Sequence, residues 1–265
     1  MAPKVHESTW RRGCEWVISN VASPQKNYPL IRIDNHMNPL SDEKIIASWH
    51  NNATPWTTAV REQQIASRRL VTDRAIIDAV LSFAPASVLD LGCGEGWLTR
   101  ALAHEGIAAT GVDAVAELIE QAKRADPSGA GSNYQAMSYE QIAAGAWQQA
   151  ADAVVCNFAL LGKESVEGLF TAMQSLLRPG GHLFVQTLHP RVPCGDGPYE
   201  DGWREGSWAG FSSDFRDPAP WYFRTMESWT RLFAQPGLQL IERREPLDPK
   251  TGRPTSVIFI AAWDT

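Results

Sequence analysis

The amino-acid sequence predicts an α/β fold built on a mostly parallel sheet. Across residues 86–188, five short apolar runs alternate with helical patterns, which is typical of parallel strands joined by crossover helices. The first run leads into a glycine-rich turn and an amphipathic helix, and two more strand patterns lie near residues 238–243 and 256–262. A chain of 265 residues is long enough for one such domain with additions.

The glycine-rich turn is the most informative segment. An apolar strand containing Asp90 is followed by three glycines at alternate positions. Such glycines let the backbone adopt unusual dihedrals and let a ligand approach main-chain atoms, at the sheet edge where open α/β folds bind nucleotide-like molecules. The spacing matches neither a dinucleotide fingerprint nor a phosphate-cradling loop. A tight turn with a purely structural role is the alternative. The expected ligand contacts are Asp90, Leu91, Gly92, Cys93, Gly94, Gly96 and Trp97.

The second strand, residues 108–113, ends in a carboxylate. Asp113 lies a little over 20 residues after Asp90. A carboxylate at this position can accept hydrogen bonds from both ribose hydroxyls of an adenosine moiety. The alternative is that Asp113 caps the helix that begins near Val115.

Two motifs resemble those of one enzyme family. The turn resembles motif I of class I S-adenosylmethionine (SAM)-dependent methyltransferases, acidic-x-Gly-x-Gly-x-Gly, and the Leu-Arg-Pro-Gly-Gly junction at residues 177–181 is characteristic of the same family. The resemblance implies a Rossmann-like sheet of seven strands in the order 3-2-1-4-5-7-6, with helices on both faces and SAM as cofactor. It further implies that the ends of the second, third and fourth strands contact SAM, through Asp113, Ala114, Met137, Ser138, Asn157 and Phe158.

The segment before the turn carries a more specific resemblance. Residues 67–72 resemble the corresponding stretch of ubiquinone-biosynthesis O-methyltransferases, in which an arginine reaches the methionine carboxylate of SAM. Arg69 matches that arginine best, and a guanidinium fork suits a carboxylate. An exposed, solvated helix face remains the alternative for Arg68 and Arg74.

The chain divides into three parts. Residues 1–40 form an extension of unknown role with one candidate strand at 30–33, and residues 41–84 form a helical cap. In the cap, Ser41 is expected to begin a first helix that runs to residue 48 or 49, and Thr54-Pro55 a second one. Residues 85–265 form the SAM-binding core, with an insertion at 189–224.

Acceptor contacts are expected from the cap and the insertion. The insertion carries more aromatic surface than an exposed loop normally has, so it is predicted to be a lid over an aromatic acceptor. The alternative is a subdomain in which these rings form their own core. The candidate substrate-binding residues are Trp49, Trp56, Tyr199, Trp203, Trp208, Trp221 and Tyr222.

Two histidines are candidate general bases, which an acceptor hydroxyl would need. His189 follows the fifth strand and His50 lies in the cap; a structural hydrogen-bonding role is the alternative for His189. A metal is not expected, because Asn157-Phe158-Ala159 stands where metal-binding carboxylates would be needed.

Composition narrows the functional class. The net charge of −6 without a long basic run disfavours nucleic acid as a partner. No apolar run reaches the roughly 18–20 residues of a membrane span, no signal peptide is evident, and four dispersed cysteines suit the cytoplasm. We therefore predict a SAM-dependent methyltransferase that acts on a small aromatic or heterocyclic molecule, with O-methylation favoured over N- or C-methylation. A tRNA or protein methyltransferase, a non-catalytic SAM-binding scaffold, and a homodimer stay open.

Overall fold

A computed structural model describes residues 38–129, 131–192 and 198–264. Its main sheet has seven strands in the order β3-β2-β1-β4-β5-β9-β8. The first five strands are parallel, and β9 runs antiparallel to both of its neighbours. Counted within this sheet, the arrangement is the predicted 3-2-1-4-5-7-6, so the predicted fold is confirmed. The strands are β1 Ser87–Leu91, β2 Ala108–Asp113, β3 Ser132–Ala136, β4 Ala151–Asn157, β5 Leu177–Leu188, β8 Leu238–Arg244 and β9 Ser256–Trp263.

Helices cover both faces of this sheet. Successive residues of β4 show the division, because Val154 belongs to one apolar cluster and Val155 to another, and both are fully buried. Side chains alternate across a strand, so a strand covered on both faces is apolar throughout. The helices are α1 Asp42–Arg61, α2 Asp73–Leu81, α3 Trp97–His104, α4 Ala116–Ala125, α5 Tyr139–Ala143, α6 Glu164–Thr171, α7 Met173–Leu176 and α8 Met226–Leu232.

The insertion contains a small antiparallel hairpin of its own. Strand β6 (Gly202–Arg204) pairs with β7 (Trp221–Phe223) outside the main sheet. The extension at residues 1–37, with its candidate strand at 30–33, lies outside the described residues, as does the segment 193–197.

The cap differs from its prediction at Pro55. Ser41 begins α1 as expected, since its hydroxyl accepts a hydrogen bond from the Lys44 amide at 3.3 Å. The predicted second helix at Thr54-Pro55 is wrong, because α1 continues through the proline to Arg61. Proline removes one helical hydrogen bond. Packing on both sides of it offsets that loss, since Ala53 and Trp56 lie in one apolar cluster with residues of α4.

The Leu-Arg-Pro-Gly-Gly junction lies inside the fifth strand, because β5 begins at Leu177. Leu177 pairs with Ala151 and His182 with Ala153, so the four residues between them form an irregularity in the ladder. Gly180 there has a φ of +76°, which favours glycine.

Among the described residues, no helix is both long and apolar enough to cross a membrane.

Candidate functional site

A cavity of about 220 Å³ lies where β1, β2, β4 and β5 end. Parallel strands bring their carboxyl ends to one edge of a sheet, which is where open α/β folds bind ligands. The glycine turn and Asp113 line one part of the wall, and residues 157–162 and 187–190 continue it. Residues of α1 and of the segment 206–224 complete the wall.

The glycine turn has a backbone that other residues adopt only with strain. Gly92, Gly94 and Gly96 have φ values of +73°, +58° and +81°. A Cβ on Gly92 would lie 2.7 Å from the Tyr139 hydroxyl and closer still to the Ala159 side chain. The turn is therefore pressed against the segment that follows β4. Of its residues, Gly92, Cys93, Gly94 and Trp97 line the cavity.

Asp113 bonds to the backbone of the glycine turn and to that of Val115, the residue before α4. Its Oδ2 accepts a hydrogen bond from the Gly94 amide at 2.9 Å, and its Oδ1 accepts one from the Val115 amide at 2.9 Å. Burial raises its pKa above the ordinary value, while these amides and the charge of His50 lower it. Asp113 and Ala114 line the cavity, so the carboxylate both joins the turn to the start of α4 and faces the ligand space.

Arg68 lines the cavity, whereas Arg69 is exposed on the surface. Arg68 lies in a π-helical turn, residues 68–72, that leads into α2. Arg69 was chosen because it matched the arginine of the ubiquinone-biosynthesis O-methyltransferases best, but its neighbour Arg68 lines the cavity. Single π-helical turns recur at functional sites. The expectation for Arg69 is therefore corrected by one residue.

Arg68 is held from several sides and still has an unpaired nitrogen. Its Nε lies 2.9 Å from an Asp73 carboxylate oxygen, and its guanidinium carbon lies 4.7 Å from the centre of the Trp97 ring. Its side chain is 6% exposed, and its Nη2 is buried without a hydrogen-bond partner among the described residues. A buried, unsatisfied N–H costs free energy unless a ligand accepts from it.

The end of β4 contributes Asn157 and Phe158 to the cavity. Phe158 has a φ of +54°, and its amide donates to the Gln186 carbonyl at 2.8 Å. The Gln186 side chain donates to Asn157 Oδ1 at 2.6 Å and to the Thr72 carbonyl at 3.1 Å. Strained backbone of this kind clusters at ligand sites. The hydrogen bonds of Gln186 hold the segment that follows β4 in this conformation.

Besides Arg69, five of the expected ligand contacts do not line the cavity: Asp90, Leu91, Gly96, Met137 and Ser138. Asp90 is buried and accepts a hydrogen bond from the Thr99 hydroxyl at 2.7 Å. Burial raises the pKa of Asp90 to about 7. Leu91 and Met137 belong to or pack on the apolar core, and Ser138 caps α5. A Cβ on Gly96 would meet Tyr134 and Ala122, so this glycine permits close packing.

Sequence reasoning missed two residues near the turn. Tyr139 lines the cavity, its hydroxyl lies 3.5 Å from the Ala159 carbonyl, and burial raises its pKa. Glu95 is 1% exposed and pairs with Arg100 at 2.8 Å and Arg61 at 3.1 Å. Glu95 stands between two glycines of the turn, and this position was the sequence feature from which its role could have been predicted. Its ion pairs link the end of α1 and the start of α3 to the turn.

The two histidines differ in position. His189 lines the cavity and is 6% exposed, but its Nδ1 accepts a hydrogen bond from the Arg191 amide at 3.2 Å. In a neutral imidazole the other nitrogen then carries the proton, and Nε2 lies 3.7 Å from a Glu245 carboxylate oxygen. At that distance Nε2 forms no hydrogen bond, and it is buried without a hydrogen-bond partner among the described residues. His50 is exposed and does not line the cavity.

The predicted aromatic residues fall into two groups. Trp49, Trp56, Trp208, Trp221 and Tyr222 line the cavity, whereas Tyr199 and Trp203 do not. The rings of Trp49 and Trp208 lie 5.6 Å apart, centre to centre, which joins α1 to the insertion. Other rings of the insertion pack on one another, as Trp208 does on Phe215 at 4.7 Å. The insertion thus covers the cavity and has a small core of its own.

Hydrogen bonds attach the insertion to α1. The Asn52 side chain donates to the Arg216 carbonyl at 2.7 Å and accepts from the Arg216 amide at 2.8 Å. Lys44 forms an ion pair with Asp217, whose carbonyl also accepts a hydrogen bond from Ser48. Asn52 and Ser48 are fully buried.

In the part of the chain that the structure describes, no cluster of three or more His, Cys, Asp or Glu residues could hold a metal ion.

Comparisons with known proteins agree with this architecture. A family described as "Methyltransferase domain" matches residues 65–243. The ubiquinone biosynthesis O-methyltransferase of Xanthomonas axonopodis pv. citri (strain 306) is 38% identical over 121 residues, which are 44% of this chain and 49% of that protein. The chain thus aligns with about half the length of the curated relatives it matches.

Solved structures show the same fold. A SAM-dependent methyltransferase from Mesorhizobium loti has a TM-score of 0.52 at 21% identity, covering 70% of this chain and 96% of that one. The 1,6-didemethyltoxoflavin-N1-methyltransferase of Burkholderia thailandensis, solved with 1,6-didemethyltoxoflavin and S-adenosylhomocysteine, has a TM-score of 0.58 at 18% identity and covers 91% of this chain and 94% of that one.

Proposed function

The chain belongs to the methyltransferase-domain family, and on that premise we propose that it transfers a methyl group from SAM to a small aromatic or heterocyclic acceptor. The match covers more than half of the chain, so the family predicted from the sequence is confirmed. The cofactor contacts, the acceptor and the atom that is methylated are proposals.

One observation carries the proposal: a single cavity is lined by two chemically different sets of residues. The cofactor half comprises the glycine turn, Asp113 and Arg68. The acceptor half comprises Trp49, Trp208, Trp221, Tyr222 and Arg224. A polar, glycine-lined wall beside an aromatic wall suits a nucleoside cofactor next to a ring-shaped acceptor.

The cofactor half fits SAM group by group. The Asp113 carboxylate is positioned at the end of β2 to accept from ribose hydroxyls. Arg68 offers its buried, unpaired Nη2 to the methionine carboxylate. The glycines let the ligand approach backbone atoms that a side chain would cover.

When bound, SAM supplies a methyl group already activated by the sulfonium. The protein therefore mainly aligns the acceptor and excludes water. The aromatic rings of the acceptor half perform the second task, and the strained backbone at Phe158 fixes the segment between the two halves. We take His189 as a structural residue, since its Nδ1 accepts a hydrogen bond from the Arg191 amide. The proposal therefore favours acceptors whose reacting oxygen or nitrogen loses its proton without a strong protein base.

The relatives support a small acceptor. Those in Xanthomonas and Xylella are named ubiquinone biosynthesis O-methyltransferases, which favours oxygen as the methylated atom. The Burkholderia protein is named for a heterocyclic nitrogen, which keeps N-methylation as the alternative.

The proposal is tested by calorimetry with S-adenosylhomocysteine on the purified chain and on a matched pair of variants. Arg68→Gln should weaken binding about 10–100-fold, since a charged hydrogen bond to the cofactor carboxylate is lost. Arg69→Gln is the control and should change binding less than about twofold, because Arg69 lies outside the cavity.

Turnover is tested separately. Purified protein, cell extract and SAM should yield a mass-spectrometric product that is heavier by one methyl group and depends on added SAM. Absence of S-adenosylhomocysteine binding in the unmodified protein would overturn the cofactor assignment. Binding without any methylated product would leave a SAM-binding protein that performs no transfer.

A further inference from the structure

We propose that Arg224 binds a carboxylate of the acceptor, so that the substrate class is an aromatic carboxylic acid. The inference rests on the proposed function and narrows its acceptor. It depends on a buried arginine in the acceptor half whose charge has no partner at contact distance.

Arg224 is one of the least exposed charged residues of the protein. It follows β7 directly, is 2% exposed and lines the cavity. Its guanidinium carbon lies 4.8 Å from the centre of the Tyr222 ring and 5.4 Å from that of Trp229. The side chain is thus fixed between aromatic surfaces, which limits the entropy that binding a ligand would cost.

The hydrogen bonds of Arg224 to the protein use only some of its N–H groups, so others can donate to a ligand. Its Nη1 donates to the Gly162 carbonyl at 2.8 Å and its Nη2 to the Lys163 carbonyl at 3.2 Å. A guanidinium has more N–H groups than these two carbonyls use. Gly162 also lines the cavity, so Arg224 lies beside the segment that follows β4, where the acceptor is expected.

The charge of Arg224 is not neutralised by a neighbour. Across residues 38–129, 131–192 and 198–264, no carboxylate forms a contact ion pair with it. Asp42 accepts instead from the Lys163 and Ser165 amides at 2.9 and 2.8 Å, and Asp201 accepts from the Thr225 amide at 2.7 Å. Burial lowers the pKa of Arg224, against the more distant charges of Glu167, Asp201 and Asp42.

A carboxylate is the group that this environment lacks. A buried cation without a contact partner is destabilising, and a planar carboxylate offers two oxygens that match the guanidinium fork. The same cavity holds a further unused donor, because Trp221 Nε1 is buried without a hydrogen-bond partner among the described residues. The surrounding rings suit an aromatic body.

A purely structural role for Arg224 is the competing explanation, since it ties β7 to the segment 162–163. The two explanations differ in one measurable property. A structural arginine affects folding but does not discriminate a charged ligand from its neutral isostere, whereas a binding arginine does.

The experiment uses benzoate and 2-, 3- and 4-hydroxybenzoate, each compared with its amide, in calorimetry on the full chain saturated with S-adenosylhomocysteine. At least one carboxylate should bind about tenfold or more tightly than its amide. Arg224→Met should abolish that preference and Arg224→Lys should retain part of it. Arg204→Met is the matched control: Arg204 also stacks on rings of the hairpin, 3.7 Å from the centre of Phe223, but does not line the cavity.

Trp221→Phe is the second variant, in case Arg224→Met fails to fold. It keeps the ring and removes the indole N–H, so it should weaken carboxylate binding several-fold. Equal affinity for acids and amides, an unchanged preference in folded Arg224→Met, or no binding of any acid would overturn the proposal. Tight binding of phenyl phosphate in place of these acids would also overturn it and indicate a phosphorylated acceptor. Failure of S-adenosylhomocysteine itself to bind would instead overturn the proposed function.

Discussion

The cofactor half of the cavity is built mainly from backbone, and the acceptor half is built from side chains. Gly92, Gly94 and Gly96 hold the turn between β1 and α3 in positive-φ conformations. The acceptor half instead depends on an insertion that polar side chains such as Asn52 attach to α1. The first half is fixed by conformations that few sequences can adopt, and the second by contacts between segments far apart in the chain.

This difference predicts that substitutions can disrupt the cofactor half and the acceptor half separately. Changes in the turn should remove cofactor binding together with stability, because the turn is part of the sheet. Changes in the attachment of the insertion should affect access to the acceptor half and leave the cofactor half in place.

The largest effect is expected for Gly92→Ala. The new Cβ would lie 2.7 Å from the Tyr139 hydroxyl in a backbone with φ +73°, so we expect a loss of roughly 2–4 kcal/mol in the free energy of unfolding. Binding of S-adenosylhomocysteine should become undetectable by calorimetry.

Gly106→Ala is the control for this prediction. Gly106 has a φ of +86°, but a Cβ added there would meet no atom within 4 Å, so the substitution carries the conformational penalty without the clash. It should cost about 1 kcal/mol and leave cofactor binding unchanged. Equal effects of the two substitutions would refute the role assigned to close packing at the turn.

A smaller and more local effect is expected for Asn52→Ala. The substitution removes both hydrogen bonds to the Arg216 backbone, which should cost about 1–3 kcal/mol. Chymotrypsin should then cleave faster in residues 206–219, as electrophoresis and mass spectrometry would show, while S-adenosylhomocysteine affinity stays within about twofold.

The matched control for this variant is Asn51→Ala. Asn51 is exposed and makes one long contact of 3.4 Å with Asp217. Its removal should not change the cleavage rate. Slow cleavage in Asn52→Ala would show that the insertion does not depend on this attachment.

The last expected effect appears only when the pH is changed, and it is a pH dependence of stability that comes from Asp90. Burial raises its pKa to about 7 from an ordinary value of 3.8, with a lowering hydrogen bond from Thr99 and a raising charge from Asp113. The native state keeps this proton to a higher pH than the unfolded chain does. The contribution of Asp90 to stability is therefore greatest at low pH and is lost as the pH rises from about 4 to about 7.

Urea unfolding of the protein and of Asp90→Asn at about pH 5 and about pH 8 measures this contribution. The unmodified protein should lose about 2–3 kcal/mol more than Asp90→Asn over this interval. Asp152→Asn is the control: the pKa of Asp152 is lowered, because hydrogen bonds and charge from Arg178 and Ser87 exceed the opposing effect of burial. That variant should therefore follow the unmodified protein. Parallel pH profiles for all three proteins would contradict the assignment.

Local sequence signals predicted the backbone of the glycine turn and the end of β2 well. The spacing of the three glycines indicated a turn that needs positive φ, and each of them has it. Asp113 was placed at the end of β2 because strand patterns end where the apolar run ends. These predictions succeeded because each depends on a few consecutive residues.

The arginine that enters the cavity was predicted less well. The resemblance selected Arg69, whereas Arg68, the first residue of the π-helical turn, lines the cavity. Packing against α4 likewise carries α1 through Pro55, against the local preference of proline.

The linear sequence therefore determined the order of strands and helices and the glycine turn, because these follow from periodicity and from dihedral angles that only certain residues permit. Tertiary structure alone decided which arginines enter the cavity. It also decided that His189 Nδ1 accepts a hydrogen bond from the Arg191 amide, and that Arg224 is buried without a contact ion pair among the described residues. These outcomes depend on contacts between distant segments, whose geometry is set only when the sheet, α1 and the insertion pack together.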